Sequence, residues 1–170
     1  MHEYVENRRI SSRSQTKQMF IPWPLRFTVA QHIKKIEGFH LAVKSGNLGR
    51  ITECLKSGVH VNSKNERGTT ALMCASCHGC AEVVAALMAE AANVNDTDVD
   101  DNTALMLAAQ KGHAEVVKVL LTAGVDASAS DKYGYTALII AARDRISNTK
   151  GHAEVVKALL AEDADIIANY

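Results

Sequence analysis

The strongest constraint on this chain is a repeat of 33 residues. Thr-Ala-Leu occurs at 70–72, 103–105 and 136–138, two steps of 33. Glycines 79, 112 and 151 each stand two places before an Ala-Glu-Val-Val run, in steps of 33 and then 39, and stepping back 33 from Gly79 lands on Gly46. Four units result, about 38–63, 64–96, 97–129 and 130–170, the last with six extra residues between Ala142 and Gly151. A fixed period in the range of 20–50 residues dictates a stacked array rather than a globule.

Within a unit the residues read as helix, tight turn, helix, loop. Thr103 to Ala109 opens with a capping threonine and continues in strong helix formers, until Lys111-Gly112-His113 breaks it. Ala114 to Leu121 then places Val116, Val117, Leu120 and Leu121 at i, i+1, i+4 and i+5, an apolar stripe on a second short helix. Gly124 is the expected left-handed stop, and Ser130 to Tyr135 carries turn chemistry. Two helices of about eight residues cannot bury their faces alone, so the units must stack and share one elongated core. The expected fold is an all-α solenoid of helix-turn-helix units.

Composition narrows the functional classes. Nineteen Lys and Arg balance nineteen Asp and Glu, and 47% of the 170 residues are apolar, which excludes a wholly disordered chain and a uniformly basic nucleic-acid coat. No run approaches the ~20 apolar residues of a membrane span, and Met1-His2-Glu3-Tyr4 leads into charge instead of a secretory segment. An intracellular protein is expected, cytoplasmic with a nuclear location left open, its four cysteines kept as thiols. Charge is nevertheless uneven, since residues 1–36 hold Arg8, Arg9, Arg13, Lys17, Arg26, Lys34 and Lys35 against Glu3 and Glu6. Residues 1–25 read as a flexible basic arm and 26–37 as a linker or covering helix, with Thr28 to Ile36 as the helical stretch. The arm is a solvated leader or a docking tail, with Ser11 in Arg8-Arg9-Ile10-Ser11 similar to a basophilic kinase site; nucleic acid is not its expected partner.

The period, Gly-x-Thr-x-Leu-x-x-Ala-Ala, Gly-His-x-Glu-Val-Val and the Gly-x-Asp loop together resemble ankyrin repeats over residues 38–170. The resemblance implies helix pairs in an L-shaped array, β-hairpin-like loops projecting at right angles, and a concave face that binds other proteins. It implies a non-catalytic adaptor, or alternatively a targeting or regulatory segment of a larger protein of which this chain is a piece. Recognition positions carried over from the family are Glu66, Arg67, Thr69, Cys77 and His78 in the second unit. In the third they are Val99, Asp100, Asn102, Gln110 and Lys111, and in the fourth Lys132, Tyr133, Tyr135 and Arg143. Tyr133 and Tyr135 are the strongest anchors, because aromatics dominate interface energetics; the competing reading of Tyr133 is a shield over the neighbouring hairpin.

Departures from the family pattern bear on stability. Thr-Pro-Leu-His appears as Thr70-Ala71-Leu72-Met73, Thr103-Ala104-Leu105-Met106 and Thr136-Ala137-Leu138-Ile139. Each of these units loses a preset first turn and a buried polar link worth ~1 kcal/mol. Ala91 and Asp163 stand where Gly58 and Gly124 end their helices, at a cost of ~1 kcal/mol each if the backbone is left-handed. The divergent first unit suits a polar cap. The last, with Leu138, Ile139, Ile140, Val155, Val156, Leu159 and Leu160, looks internal, leaving its apolar face for a further unit of a longer chain or for end-to-end self-association. The surplus residues 143–149 are a partner-specific finger or a tolerated insertion.

Chemistry-bearing clusters are few. Cys74-Ala75-Ser76-Cys77-His78 matches the spacing of covalent haem attachment. In the repeat register, however, Cys74 replaces Leu107 and Ile140, which assigns it to packing in preference to haem, zinc through Cys74, Cys77, His78 and Cys80, or redox sensing by Cys77 and Cys80. Asp96-Thr97-Asp98-Val99-Asp100 begins like a calcium loop, but Asp101 replaces the required glycine and Leu107 the closing glutamate. No phosphate loop, zinc-protease helix or nucleophile turn is present, so no catalytic, cofactor or metal residue is assigned.

Overall fold

A computed structural model describes residues 23–143 and 150–168 of the protein. Among them are eight helices: α1 (Trp23–Lys44), α2 (Leu48–Lys56), α3 (Ala71–Cys77), α4 (Ala81–Ala89), α5 (Ala104–Lys111), α6 (Ala114–Thr122), α7 (Ala137–Arg143) and α8 (Lys150–Ala168). Threonine caps set where the inner helices start. The Thr70 and Thr103 hydroxyls each accept the backbone N–H three residues on, from Met73 and Met106, at 3.3 Å, and Thr136 does so from Ile139 at 3.4 Å. Such a cap is worth ~1 kcal/mol.

The helices form two layers. α1, α3, α5 and α7 lie side by side as an inner row, and α2, α4, α6 and α8 back them. Between the layers runs one continuous core of Phe39, Val43, Ile51, Leu72, Val83, Val84, Leu87, Leu105, Val116, Val117, Leu120, Val155 and Leu159, all buried. Burying one such side chain contributes roughly 1.5–3 kcal/mol, and the alanines 71, 75, 104, 108, 109, 137 and 141 let neighbouring inner helices approach. Ser76, in register with Ala109, is wholly buried and its hydroxyl has no partner.

Three boundaries differ from the sequence reading. α1 runs unbroken from Trp23 through residue 38, so the segment expected as a separate covering helix is continuous with the first helix of the first unit. Pro24 is tolerated because it falls in the first turn, where its missing N–H has no intrahelical partner; Gly38 inside the helix weakens but does not end it. α8 starts at Lys150, so Gly151 and His152 are helical in the fourth unit instead of forming the turn seen at Gly112. It also continues past Asp163, which therefore ends no helix. The arm through residue 22 and the insertion at 144–149 lie outside the described residues.

Ala91 follows the expectation: its φ is 60°, in line with 89° at Gly58 and 72° at Gly124. A Cβ in the left-handed region crowds the following carbonyl, and glycine avoids the clash at the expense of unfolded-chain entropy. Ala91→Gly is therefore expected to stabilise the protein by about 0.5–1 kcal/mol. A thermal melt at or below the parent's would contradict the strain.

Candidate functional site

One side chain in every 33 folds each projecting tip. Asn65 Oδ1 accepts the N–H groups of Arg67 and Thr69 at 2.9 and 3.0 Å. Asp98 Oδ1 accepts those of Asp100 and Asn102, and Asp131 Oδ1 those of Tyr133 and Tyr135, all at 2.9 Å. These are Asx turns, and each is closed as a short hairpin by the N–H of residue 65, 98 or 131 donating to the carbonyl of 69, 102 or 135. Neighbouring tips are joined in turn: Val99 N–H donates to the Arg67 carbonyl at 3.3 Å, and Lys132 N–H to that of Asp100 at 3.2 Å. Asp101 takes φ 60° where Gly68 and Gly134 take 70° and 79°, a conformation aspartate tolerates better than most residues.

Between the third and fourth units the concave side opens into a cleft of about 380 Å³, lined by Asn102, Met106, Leu107, Gln110, Asp131, Tyr135, Ile140 and Arg143. Its rim is a stack of alternating charge and ring. The Arg143 guanidinium sits 4.4 Å from the Tyr135 ring centre, the Tyr135 and Tyr133 rings are 6.4 Å apart and tilted by 39°, and Lys132 Nζ lies 5.1 Å from the Tyr133 ring. Lys132 also pairs with Asp100 of the preceding tip, which raises its pKa. The stack leaves Tyr133 70% exposed.

A family model described as ankyrin repeats (three copies) matches residues 39–131 and again 92–170. The chain belongs to the ankyrin repeat family. The description counts three repeats against the four units read from the sequence; among the described residues the helices pair as α1–α2, α3–α4, α5–α6 and α7–α8. No curated protein matches the chain. Ankyrin repeats are in general modules for binding other proteins, and no described helix here is long and apolar enough to cross a membrane.

The ankyrin array gathers some of the expected recognition residues and scatters others. Asn102, Gln110, Tyr135 and Arg143 share the cleft, with Tyr133, Lys132 and Asp100 at its rim. Glu66 and Arg67 border a different groove of about 420 Å³, made with Ile33, Ile36 and Glu37 of α1 and with Lys64 and Asn65. Thr69 is half-buried in its hairpin, and Val99 and Lys111 are exposed outside both linings. Met106, Leu107, Asp131 and Ile140 complete the cleft and were not singled out in the sequence. Asp131 had a legible signal, being the third of Asn65, Asp98 and Asp131 at steps of 33.

Cys77 and His78 are engaged in the turns. His78 Nδ1 donates to the Cys74 carbonyl at 2.8 Å, and the Cys77 carbonyl accepts from His113 Nε2 at 3.1 Å. His152 repeats that link one unit on, donating to the Gln110 carbonyl at 3.1 Å. The histidine of one repeat thus clasps the turn of the repeat before it. Cys80 stands in that place in the second unit, and its Sγ lies 3.8 Å from the His78 carbonyl of its own turn. Cys74 is half-buried, and burial pushes its thiol pKa up, which makes the thiolate needed for redox or metal chemistry harder to form. Among the described residues no group of three or more His, Cys, Asp or Glu is gathered to hold a metal ion.

The buried histidine link missing from three units is present in the first. His40 lies 33 residues before Met73, and its Nε2 donates to the Ser63 carbonyl at 3.3 Å. Nδ1 is buried without a partner, and burial holds the pKa below the usual 6.5, the Ser63 bond offsetting part of the shift. The unfolded chain then takes up a proton near pH 6.5 that the folded state resists, so the stability contribution is complete above that pH and is lost as pH falls below it. Thermal melts at pH 7.5 and 5.5 are expected to show a smaller acid loss in His40→Met than in the parent. An equal loss would place the acid sensitivity elsewhere.

Proposed function

We propose that this ankyrin chain is a non-catalytic adaptor that takes a partner protein across the cleft between α5 and α7 and along the tips of the third and fourth units. The observation that carries the reading is the Arg143–Tyr135–Tyr133–Lys132 stack, which joins cleft to tip and holds an exposed tyrosine on a projecting turn. The ring is exposed on the tip and flanked by Lys132 and Tyr135, where a partner can cover it. Preorganised aromatics lose little entropy on binding and supply the few contacts that dominate interface energy. The acidic tip residues Asp98, Asp100 and Asp101 favour protein over a phosphate backbone.

The reading is tested by affinity capture with the full chain and mass spectrometry, comparing the parent with the Tyr133→Ala/Tyr135→Ala double variant. Capture is expected to fall by roughly tenfold or more, the loss typical of interface anchors. Unchanged capture by a double variant that keeps its helical circular dichroism removes the site.

A further inference from the structure

We infer that the partner segment is a peptide in which an aspartate or glutamate side chain lies next to an apolar residue, the carboxylate meeting Arg143 and the apolar group resting on Leu107 and Ile140. This rests on the protein-binding reading above and names the chemistry of what binds. Arg143 ends α7 and reaches the cleft at its rim, with Tyr135 4.4 Å from the guanidinium carbon. The guanidinium carbon lies over the ring, and the N–H groups that the ring does not cover can meet an acceptor such as a carboxylate. Among the described residues, the ion pairs are Lys132 with Asp100 and Lys157 with Glu154; neither involves Arg143. Among the described residues, then, the cleft holds a guanidinium stacked near a ring and joined to no carboxylate.

Of the acidic groups about the cleft, Asp131 in its lining and Asp98 in the preceding tip are tied into the hairpins, and Asp100 at the rim is paired with Lys132. Asp131 Oδ1 accepts two backbone N–H groups, and both oxygens of Asp98 accept from the Asn102 amide. As fixed negative charges they repel a dianion more strongly than a monoanion. One arginine beside them suits a carboxylate, whereas phosphate recognition draws on clusters of arginines. Leu107 and Ile140, both half-buried, give the otherwise polar cleft a small apolar patch, with Met106 buried behind them. Gln110, exposed on α5, offers an amide donor and acceptor to a passing peptide backbone.

The test uses the immobilised full chain and an array of eight-residue peptides. Each carries one leucine and, two positions away, Asp, Asn, Lys or phosphoserine in otherwise randomised sequence. The Asp set is expected to bind best, and Arg143→Gln to weaken that set by roughly tenfold or more while leaving the Asn set unchanged. Binding of the Asp set no better than the Asn set, failure of all four sets included, overturns the inference, as does a phosphoserine preference or Asp binding undiminished in Arg143→Gln. Protein capture lost in the double tyrosine variant but intact in Arg143→Gln would overturn the carboxylate and leave the adaptor reading standing. Capture intact in both would overturn the two together.

Discussion

Gly151→Ala is expected to destabilise the protein by about 2–3 kcal/mol, the upper part of the range for overpacking, and to lower its melting temperature by on the order of 5–10 °C for a chain of this length. A Cβ at residue 151 would lie 2.3 Å from the Gly112 carbonyl oxygen and 3.2 Å from its carbon. Both are backbone atoms, so relief requires one repeat to move against the next. The same movement would pull His152 from the Gln110 carbonyl, since His152 is the adjacent residue. Gly38→Ala is the matched control. Nothing lies within 4 Å of a Cβ there and the residue is inside α1, so the substitution is expected to stabilise by about 0.5–1 kcal/mol. A Gly151→Ala variant that melts with the parent would show that the start of α8 is not in contact with the Gly112 turn.

Leu105→Ala carries the second large effect, a loss of about 3 kcal/mol within the 2–5 kcal/mol observed for such truncations. Leu105 is 1% exposed on α5, which packs against α3, α6, α7 and α8, so no single neighbour can collapse into the space. In a linear array this position also carries the coupling between the halves of the stack. Leu160→Ala, at a side chain 52% exposed, is expected to change stability by no more than about 0.5 kcal/mol. Urea midpoints of the two variants measure the contrast, and a cost below about 1 kcal/mol at Leu105 would mean that α5 is not an internal helix.

The inner helices were legible because their determinants are local. Thr70, Thr103 and Thr136 cap within three residues, and the Val-Val and Leu positions of α4 and α6 repeat their burial from unit to unit. Boundaries were less legible where no capping residue marks them. Nothing in the sequence from Trp23 to Lys44 stops a helix except Gly38, whose cost of about 1 kcal/mol is small against the packing of α1 on α2 and α3. His40 escaped notice because the residues before it, Glu37-Gly38-Phe39, have lost the rest of the motif, although the 33-residue step to Met73 marks its place.

The candidate site divides along the same line. Tyr133, Tyr135 and Arg143 were each visible as exposed positions of a repeat, yet the sequence offered no reason to put a guanidinium on a ring eight residues away. That contact depends on how far the fourth tip leans back over α7. The sequence alone determined the period, the helix pairs and the identity of the projecting turns, because those follow from interactions spanning three or four residues. Only the tertiary structure decided which tips and helices close around one cleft, and that His113 and His152 each reach the repeat before. Those outcomes rest on angles between repeats, set by packing across 33 residues or more.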